Sequence, residues 1–272
     1  MPGRAARPFP LAVAALAVMV IGYSRPTADR QASAGGQSGR DASGNTAPVV
    51  TIVQPDASRT WQWSAQFRYA ITVTDKEDGD SAFGEIMPSE VLLDVEYLPG
   101  TPGDGLEPVR SAARADEPGL AILRKSACLN CHADKTSLVG PSFSAIADKY
   151  GDSEETIARL GRHIRNGSSG SWGSLPMPAH PNLSPQQTQD VARYIVEQGR
   201  RRHRWIYAGL EGVIRIIDRP DDDGVGFYRL TATYLDNGVA GGEGTSRRGE
   251  HSITLRLGDP ATPPRDVAPP AE

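Results

Sequence analysis

Both cysteines of this 272-residue chain lie within five residues, in the sequence CLNCH at positions 128–132. Cys128 and Cys131 are three residues apart, so on a helical turn their thiols face the same way. His132 follows the second cysteine directly. The pattern Cys-x-x-Cys-His is the attachment signature of a c-type haem, in which both sulfurs bond the porphyrin edge and the histidine reaches the iron. The motif therefore predicts one haem c, covalently attached through Cys128 and Cys131.

Two other kinds of site use the same residue types. A redox-active dithiol is typical of a βαβ setting, whereas this motif follows PGLAILRKSA, a short helix after a linker. A structural zinc site needs four ligands, and the sequence has no second pair of cysteines. Haem attachment is therefore the favoured interpretation.

A second axial ligand is needed if the iron transfers electrons, and methionine opposite histidine raises the reduction potential. Of the four methionines, Met1 is the first residue, Met19 lies in the apolar N-terminal run and Met87 lies among predicted strands. Met177 remains as the predicted ligand, in the sequence SLPMPAH, where a proline on either side stiffens the loop. His180, three residues later, is the rival ligand.

Three helices around these ligands are predicted by apolar residues at helical spacing. SFSAIADKYG and SEETIARLGRHIRNG each stop at a glycine. SPQQTQDVARYIVEQG has Ser184 as its N-cap and Gln187 placed for a capping box, and it is predicted to stop at Gly199. His163, in the second helix, is predicted to be an ordinary surface or half-buried histidine.

Residues 119–199 resemble a class I cytochrome c, particularly the small bacterial cytochromes with one haem. The stretches that carry the resemblance are KSACLNCH, LVGPSF, RNGSSGSWGSLPMP and LSPQQTQDVARYIV, in the family's order. The resemblance implies that His132 and Met177 are the axial ligands and that the two cysteines are the thioether anchors.

The resemblance also implies roles around the haem. The carbonyl of Pro141 would accept a hydrogen bond from the proximal imidazole, which fixes the orientation of the ring. The indole of Trp172 would contact a haem propionate. Gly119 and Tyr194 would lie where the first and last helices cross. His180 replaces an asparagine of small relatives that can hydrogen-bond the methionine sulfur, which leaves that contact open.

Strand patterns with alternating apolar residues lie on both sides of the helices. QFRYAITVT and VLLDVEY precede the helices, with the turn DKEDGD between them, and GVIRII, GFYRLTATYLDNG and HSITLRL follow. Roughly three strands before and three or four after together approach the number in an immunoglobulin-like sandwich. The predicted fold class is therefore multidomain α and β, with an all-α class I cytochrome c domain inserted between two halves of an Ig-like β-sandwich. Two separate small β units are the alternative.

The N-terminus has the layout of an export signal. Arg4 and Arg7 precede the apolar run LAVAALAVMVIG, which is short for a bilayer span, so a signal peptide is predicted rather than an anchor. Residues 32–34 have the small-x-small pattern of a cleavage site. No cysteine lies directly after the run, where the sequence is GYS, which excludes a lipid anchor. The predicted segments are a signal peptide (1–34), a flexible tether (35–47), a first sandwich half (48–100), a linker (101–118), the cytochrome c domain (119–199), a second sandwich half (200–258) and a disordered tail (259–272).

Charge patterns exclude some partners. The chain has 29 Lys and Arg against 33 Asp and Glu, a net charge of −4, which argues against nucleic-acid binding. DKEDGD and DDDG are predicted to be polar turns, with calcium binding as the less favoured reading. RRRHR, at residues 200–204, is predicted to be a solvated boundary between domains rather than a docking site for an acidic partner.

The β regions and the haem block together resemble modules associated with pyrroloquinoline-quinone (PQQ)-dependent sugar dehydrogenases, through ITVTDKEDG, YLPG and TATYLDNG. The expected function is an exported, periplasmic electron carrier, not itself an enzyme, between a dehydrogenase donor and a respiratory-chain acceptor, without a transmembrane span in the mature protein. The alternatives are a carbohydrate- or partner-binding β module with an accessory haem, and a haem-based sensor or enzyme whose methionine ligand dissociates.

Overall fold

The computed structural model describes residues 44–62, 66–100, 117–215, 226–239 and 246–258. The predicted signal peptide and tail, most of the tether and linker, and the DDDG turn lie outside these residues. Within them, no helix has both the length and the apolar character needed to cross a membrane.

The described residues form strands and helices in the order strands, helices, strands. Five strands come first: β1 (Val49–Gln54), β2 (Thr60–Gln62), β3 (Gln66–Asp75), β4 (Gly79–Asp80) and β5 (Leu92–Pro99). The helical part contains α1 (Pro118–Lys125), α2 (Phe143–Tyr150), α3 (Glu154–Asn166), the short strands β6 (Ser168–Gly170) and β7 (Gly173–Met177), and α4 (Pro185–Arg200). Four strands follow: β8 (Arg204–Ala208), β9 (Glu211–Arg215), β10 (Gly226–Leu235) and β11 (Arg248–Gly258).

The strands before and after the helices pair with one another in two sheets. In the first sheet, β3 lies beside β1, β4 and β9. In the second sheet the order is β2-β11-β10-β5-β8. β5 therefore lies between β8 and β10, although the helical part separates it in sequence from both. β6 and β7 form a separate hairpin within the helical part.

The second sheet is buried on both faces along β5, β8 and β10, whereas β2 and β11 keep exposed residues. Val91, Leu93 and Val95 pack with residues of the first sheet in one apolar core, whereas Leu92 and Ile206 pack with the helices in another. This explains why eight consecutive residues of β10 are buried, including Arg229, Thr231 and Thr233 on its polar face. The helices therefore cover the face of the second sheet that the first sheet leaves free.

The predicted helices are present, with one different end. Ser142, Ser153 and Ser184 cap α2, α3 and α4, and the capping box of Ser184 and Gln187 is formed. The prediction that α4 stops at Gly199 is wrong, because the helix continues to Arg200. A Cβ at Gly199 would lie 2.3 Å from the carbonyl oxygen of Phe143, so this glycine permits close helix packing instead.

Three further expectations differ from the structure. Five strands rather than about three precede the helices, since β2 and β4 are too short to show a sequence pattern. Asn45, predicted to lie in the tether, is fully buried and its amide donates to both carboxylate oxygens of Asp236. Arg204, assigned to a solvated boundary, is only 4% exposed and forms a bidentate ion pair with Asp94.

The segment DKEDGD forms the predicted polar turn. The carboxylate of Asp75 accepts hydrogen bonds from the backbone N–H groups of Glu77 and Asp78. The carboxylate of Asp78 accepts from the hydroxyl of Tyr234. Among the described residues, no group of three or more His, Cys, Asp or Glu side chains is placed to hold a metal ion.

Candidate functional site

The cysteine motif forms a tight turn between α1 and α2. Cys128–Asn130 is a single 3₁₀ turn, and the N–H groups of Cys131 and His132 both donate to the carbonyl of Cys128. The two cysteines are half-buried and not bonded to each other. Burial raises the pKa of the Cys128 thiol to about 11. The turn therefore presents two neighbouring thiols, rather than a disulfide, at the wall of an apolar core.

His132 is held by the loop that follows it. Its Nδ1 lies 2.7 Å from the carbonyl oxygen of Pro141, so Nδ1–H donates to that oxygen and Nε2 remains available for a metal. The neighbouring Gly140 makes this approach possible, because a Cβ there would lie 2.4 Å from Cε1 of the ring. The hydrogen bond has the partner and direction that the resemblance implies for Pro141.

Met177 lies at the end of the β6–β7 hairpin, where it pairs with Ser168. Gly167, with a φ of 76°, precedes the hairpin, and a Cβ there would lie 2.8 Å from the Met177 carbonyl oxygen. The hairpin is therefore packed closely against the end of α3.

A cavity of about 460 Å³ lies between the cysteine turn and this hairpin. Its lining includes all six residues predicted to bind the cofactor: Cys128, Cys131, His132, Pro141, Trp172 and Met177. The remaining walls are mainly apolar and come from all four helices, with Leu123, Phe143, Ile146, Leu160, Ile164 and Val191 among them. Two thiols, an imidazole nitrogen and a thioether around an apolar space are the groups that a haem c requires.

Trp172, on the hairpin, is 42% exposed and lies within a cluster of rings and cations. Nζ of Lys149 lies 4.2 Å from the centroid of its ring and donates to the carbonyl of Ser171 at 2.6 Å. Tyr150 meets the indole edge to face, with ring centroids 6.0 Å apart. Cation–π and hydrogen-bond contacts thus attach the hairpin to the end of α2.

The two other histidines considered from sequence differ in their position relative to the cavity. His180, the rival ligand, does not line the cavity, and its backbone N–H donates to the carbonyl of Ile164. His163 is half-buried, as predicted, and it also lines the cavity. Its spacing three residues after Leu160, which also lines the cavity, was the available signal.

Sequence reasoning missed Asp134 and Lys135, which follow His132 closely. Asp134 is only 3% exposed. Burial raises the pKa of its carboxyl, while the neighbouring Lys135 ammonium acts in the opposite direction. Nothing in the local sequence ADKTS distinguishes these two residues from a solvated charge pair.

Comparison with known proteins identifies the helical part. The sequence profile of the family Cytochrome c matches residues 117–198. The chain is similar to cytochrome c-551 of Pseudomonas denitrificans, with 39% identity over 79 residues, which are 29% of this chain and 94% of that protein. It is also similar to cytochrome c-552 of Nitrosomonas europaea, with 37% identity over 28% of this chain and 73% of that protein. The crystal structure of wild-type N. europaea cytochrome c552 matches at 37% identity, with a TM-score of 0.27, over 28% of this chain and 94% of that one.

The matched residues contain the cysteine turn, the hairpin and the four helices except for the last two residues of α4. Covalent haem c, attached through Cys128 and Cys131, follows from the family and from the two cysteines in the required spacing. Through this class I monohaem domain, which occupies about 30% of its length beside a large β-rich region, the chain belongs to the cytochrome c family of electron carriers.

Proposed function

We propose that this protein is an exported monohaem cytochrome that passes single electrons from a periplasmic dehydrogenase to a respiratory acceptor, with His132 and Met177 as axial ligands. The observation that carries the proposal is the cavity, which brings two thiols, an imidazole and a thioether together from two loops. A nitrogen and a thioether leave a six-coordinate iron without an open position, which suits electron transfer rather than substrate chemistry.

The chain supplies position and electrostatics for the one-electron iron couple that the haem provides when bound. The carbonyl of Pro141 accepts Nδ1–H of His132, which fixes the ring and makes Nε2 a better donor to iron. The apolar walls exclude water, and thereby favour the less charged, reduced state of the site. Met177 adds to this effect, because a thioether ligand raises the potential.

An apolar rim at the cavity supports a transient redox partner. Leu138, Val139 and Leu175 line the cavity and are 53%, 64% and 69% exposed. Electron-transfer encounters use small interfaces, and exposed apolar side chains grouped in this way are typical of interaction sites. We propose that the partner docks here.

We further infer that the two sheets are one Ig-like sandwich into which the cytochrome c domain is inserted. Pairing of β5 with β8 and β10, and of β3 with β9, supports this arrangement, since each pair joins strands from opposite sides of the helices. Residues 48–100 and 200–258 would then be the two halves, and 119–199 the insert.

The proposals that the protein is exported and that a dehydrogenase is its electron donor are based on the sequence. Residues 1–34 have the layout of a signal peptide. The resemblance of the β regions to modules associated with PQQ-dependent sugar dehydrogenases suggests such an enzyme as the donor.

The test compares Met177→Ala with Met87→Ala in haem-loaded protein. Met87 is 57% exposed and lies outside the cytochrome domain, so it controls for loss of a methionine. Met177→Ala should keep its covalent haem but lose the near-infrared charge-transfer band between methionine and iron, and Met87→Ala should keep both. A persistent band in Met177→Ala would refute the ligand assignment. Rapid binding of carbon monoxide by the reduced wild type would instead favour a sensor or enzyme with a displaceable methionine.

A further inference from the structure

Asp134 connects the haem-binding loop to the second sheet. Its Oδ2 accepts a hydrogen bond from the side-chain amide of Gln198 at 2.8 Å and from the backbone N–H of Ile206 at 3.0 Å. Gln198 lies in the last turn of α4 and is fully buried. Ile206 belongs to β8, the edge strand of the sheet. One carboxylate therefore joins a residue two positions after His132 to both α4 and the sheet.

Lys135 strengthens the same junction from the other side. Its Nζ donates to the carbonyl oxygens of Gly199 at 3.1 Å and Arg201 at 2.8 Å, and lies 3.4 Å from that of Gln198. These carbonyls lie at the end of α4, where a helix has no partners of its own for them. The ammonium also lies 3.5 Å from Oδ1 of Asp134. The pair thus fixes the loop to the point where α4 leads into β8.

The backbone of Asp134 is hydrogen-bonded to the segment that holds the His132 imidazole. Its carbonyl accepts from the N–H and the hydroxyl of Ser144, at the start of α2. Pro141, three residues before Ser144, accepts Nδ1–H of His132. These hydrogen bonds close the loop from His132 to Ser144, and Asp134 connects it through its carbonyl to Ser144 and through its carboxylate to Ile206 of β8.

Burial of a carboxylate is energetically unfavourable if the side chain only fills space. Removing a charge from water costs several kcal/mol unless it is paired and hydrogen-bonded, and apolar residues of similar size fill space more favourably. A carboxylate oxygen at this place satisfies an N–H of an edge strand, which an apolar side chain could not do. Such buried polar contacts are best known for fixing register rather than for adding stability.

The contact belongs to this chain rather than to the cytochrome domain by itself. The family match ends at residue 198, and Ile206 lies beyond it. The c-551 of P. denitrificans is covered over 94% of its length by 79 residues, so it has no counterpart of the sheets described here.

We propose that Asp134 is a positioning residue through which β8 sets the orientation of the His132 imidazole and thereby tunes the haem. This inference depends on the proposed role of His132 as an iron ligand. A shift of the loop relative to β8 would turn the ring about the axis between nitrogen and iron. The ring plane determines how unpaired electron density of the oxidised haem is distributed over the porphyrin methyl groups.

The experiment uses the full haem-loaded chain and three variants. Asp134→Asn keeps the size of the side chain but replaces one carboxylate oxygen by an NH2 group, which then faces either the Lys135 ammonium or the two donors Gln198 and Ile206. Gln198→Met removes one donor and leaves the carboxylate unchanged. Asp148→Asn, at an exposed position of α2, is the control for loss of one negative charge. Each protein is measured by the paramagnetic NMR shifts of the haem methyl groups, by the near-infrared band and by reduction potential.

Asp134→Asn and Gln198→Met should both keep the near-infrared band and change the pattern of methyl shifts, the former more strongly. Asp134→Asn should also raise the reduction potential, because it removes a buried negative charge that favours ferric iron. Asp148→Asn should leave the methyl pattern unchanged. If Asp134→Asn does not fold, Gln198→Met still decides the question.

Wild-type methyl patterns in both variants would overturn the proposal, even if their stability or potential had changed, because those effects need no rotation of the ring. A wild type that lacks the band would instead refute the assignment of the axial ligands. The two failures are therefore distinguishable.

Discussion

Substitution of Gly119 by alanine should destabilise the protein although alanine favours helices. Gly119 lies where α1 crosses α4, and a Cβ there would lie 2.4 Å from the carbonyl oxygen of Asp190 and 2.5 Å from Cβ of Tyr194. Because one of these neighbours is helix backbone, it cannot move alone. The two helices would have to separate by about 1 Å, a gap that removes a quarter to a half of each dispersion contact between them.

The two opposing effects can be compared in size. Replacing glycine by alanine inside a helix contributes about 1 kcal/mol of stability. Overpacking of a closed interface costs about 1–3 kcal/mol, and more where backbone is involved. We therefore expect Gly119→Ala to lower the free energy of unfolding by up to about 2 kcal/mol. At this crossing, Leu120 and Leu123 of α1 are each no more than 5% exposed, so separation also admits water to apolar surface.

The assay is unfolding in guanidinium chloride of proteins with equal haem content, followed by the near-infrared band. Gly161→Ala in α3 is the matched control, since its new Cβ would come no nearer than 3.2 Å to Gln189 Cγ and 3.3 Å to the Gln189 backbone nitrogen, so a shift of a few tenths of an ångström is enough to relieve these contacts. Gly161→Ala should stay within about 1 kcal/mol of the wild type. The reasoning is refuted if Gly119→Ala unfolds at the same or a higher denaturant concentration than Gly161→Ala.

Two further predictions concern the hairpin and the polar turn. Lys149→Met removes the cation 4.2 Å from the Trp172 ring and its hydrogen bond to the Ser171 carbonyl, so the near-infrared band should disappear at a lower denaturant concentration, by about 1 kcal/mol in free energy. Asp75→Asn should raise the melting temperature at pH 7, because burial, followed by the charges of Asp236 and Asp78, raises the pKa of Asp75 in the folded state. Above that pKa the ionised carboxylate therefore destabilises the folded wild type, and asparagine does not. The difference in melting temperature between Asp75→Asn and the wild type should narrow as the pH falls towards 4, because Asp75 then takes up a proton.

Each of these predictions has a control with the same charge change at an exposed position. Arg162→Met in α3 should lose the near-infrared band at the wild-type denaturant midpoint. If Lys149→Met has the same midpoint as Arg162→Met, the contacts of Lys149 do not stabilise the hairpin. Asp148→Asn should change the melting temperature little, and a gain in Asp75→Asn that persists unchanged at pH 4 would contradict the charge argument.

Much of the cytochrome part could be predicted from the sequence. CLNCH specifies covalent haem because thiol spacing is a local property, and serine caps with terminal glycines place helices for the same reason. The strands with one polar face, such as β3, could also be predicted, because apolar and polar residues alternate along them. β10 was recognised as a strand, but its burial on both faces was not, because a second covering layer cannot be inferred from one strand.

The misplaced expectations share a cause. Gly199 looks like a helix terminator, and only the approach of Phe143 shows that it permits packing. RRRHR looks solvated, and only the position of Asp94, 110 residues earlier, shows that Arg204 is buried in an ion pair.

The sequence by itself determined the cofactor and its mode of attachment, because covalent chemistry and helix capping depend on residues a few positions apart. Only the tertiary structure decided that a carboxylate beside His132 reaches β8, since Asp134 and Ile206 are 72 residues apart. Whether a charged side chain is solvated or buried depends on groups that are distant in sequence, and these cannot be inferred from the residues next to it.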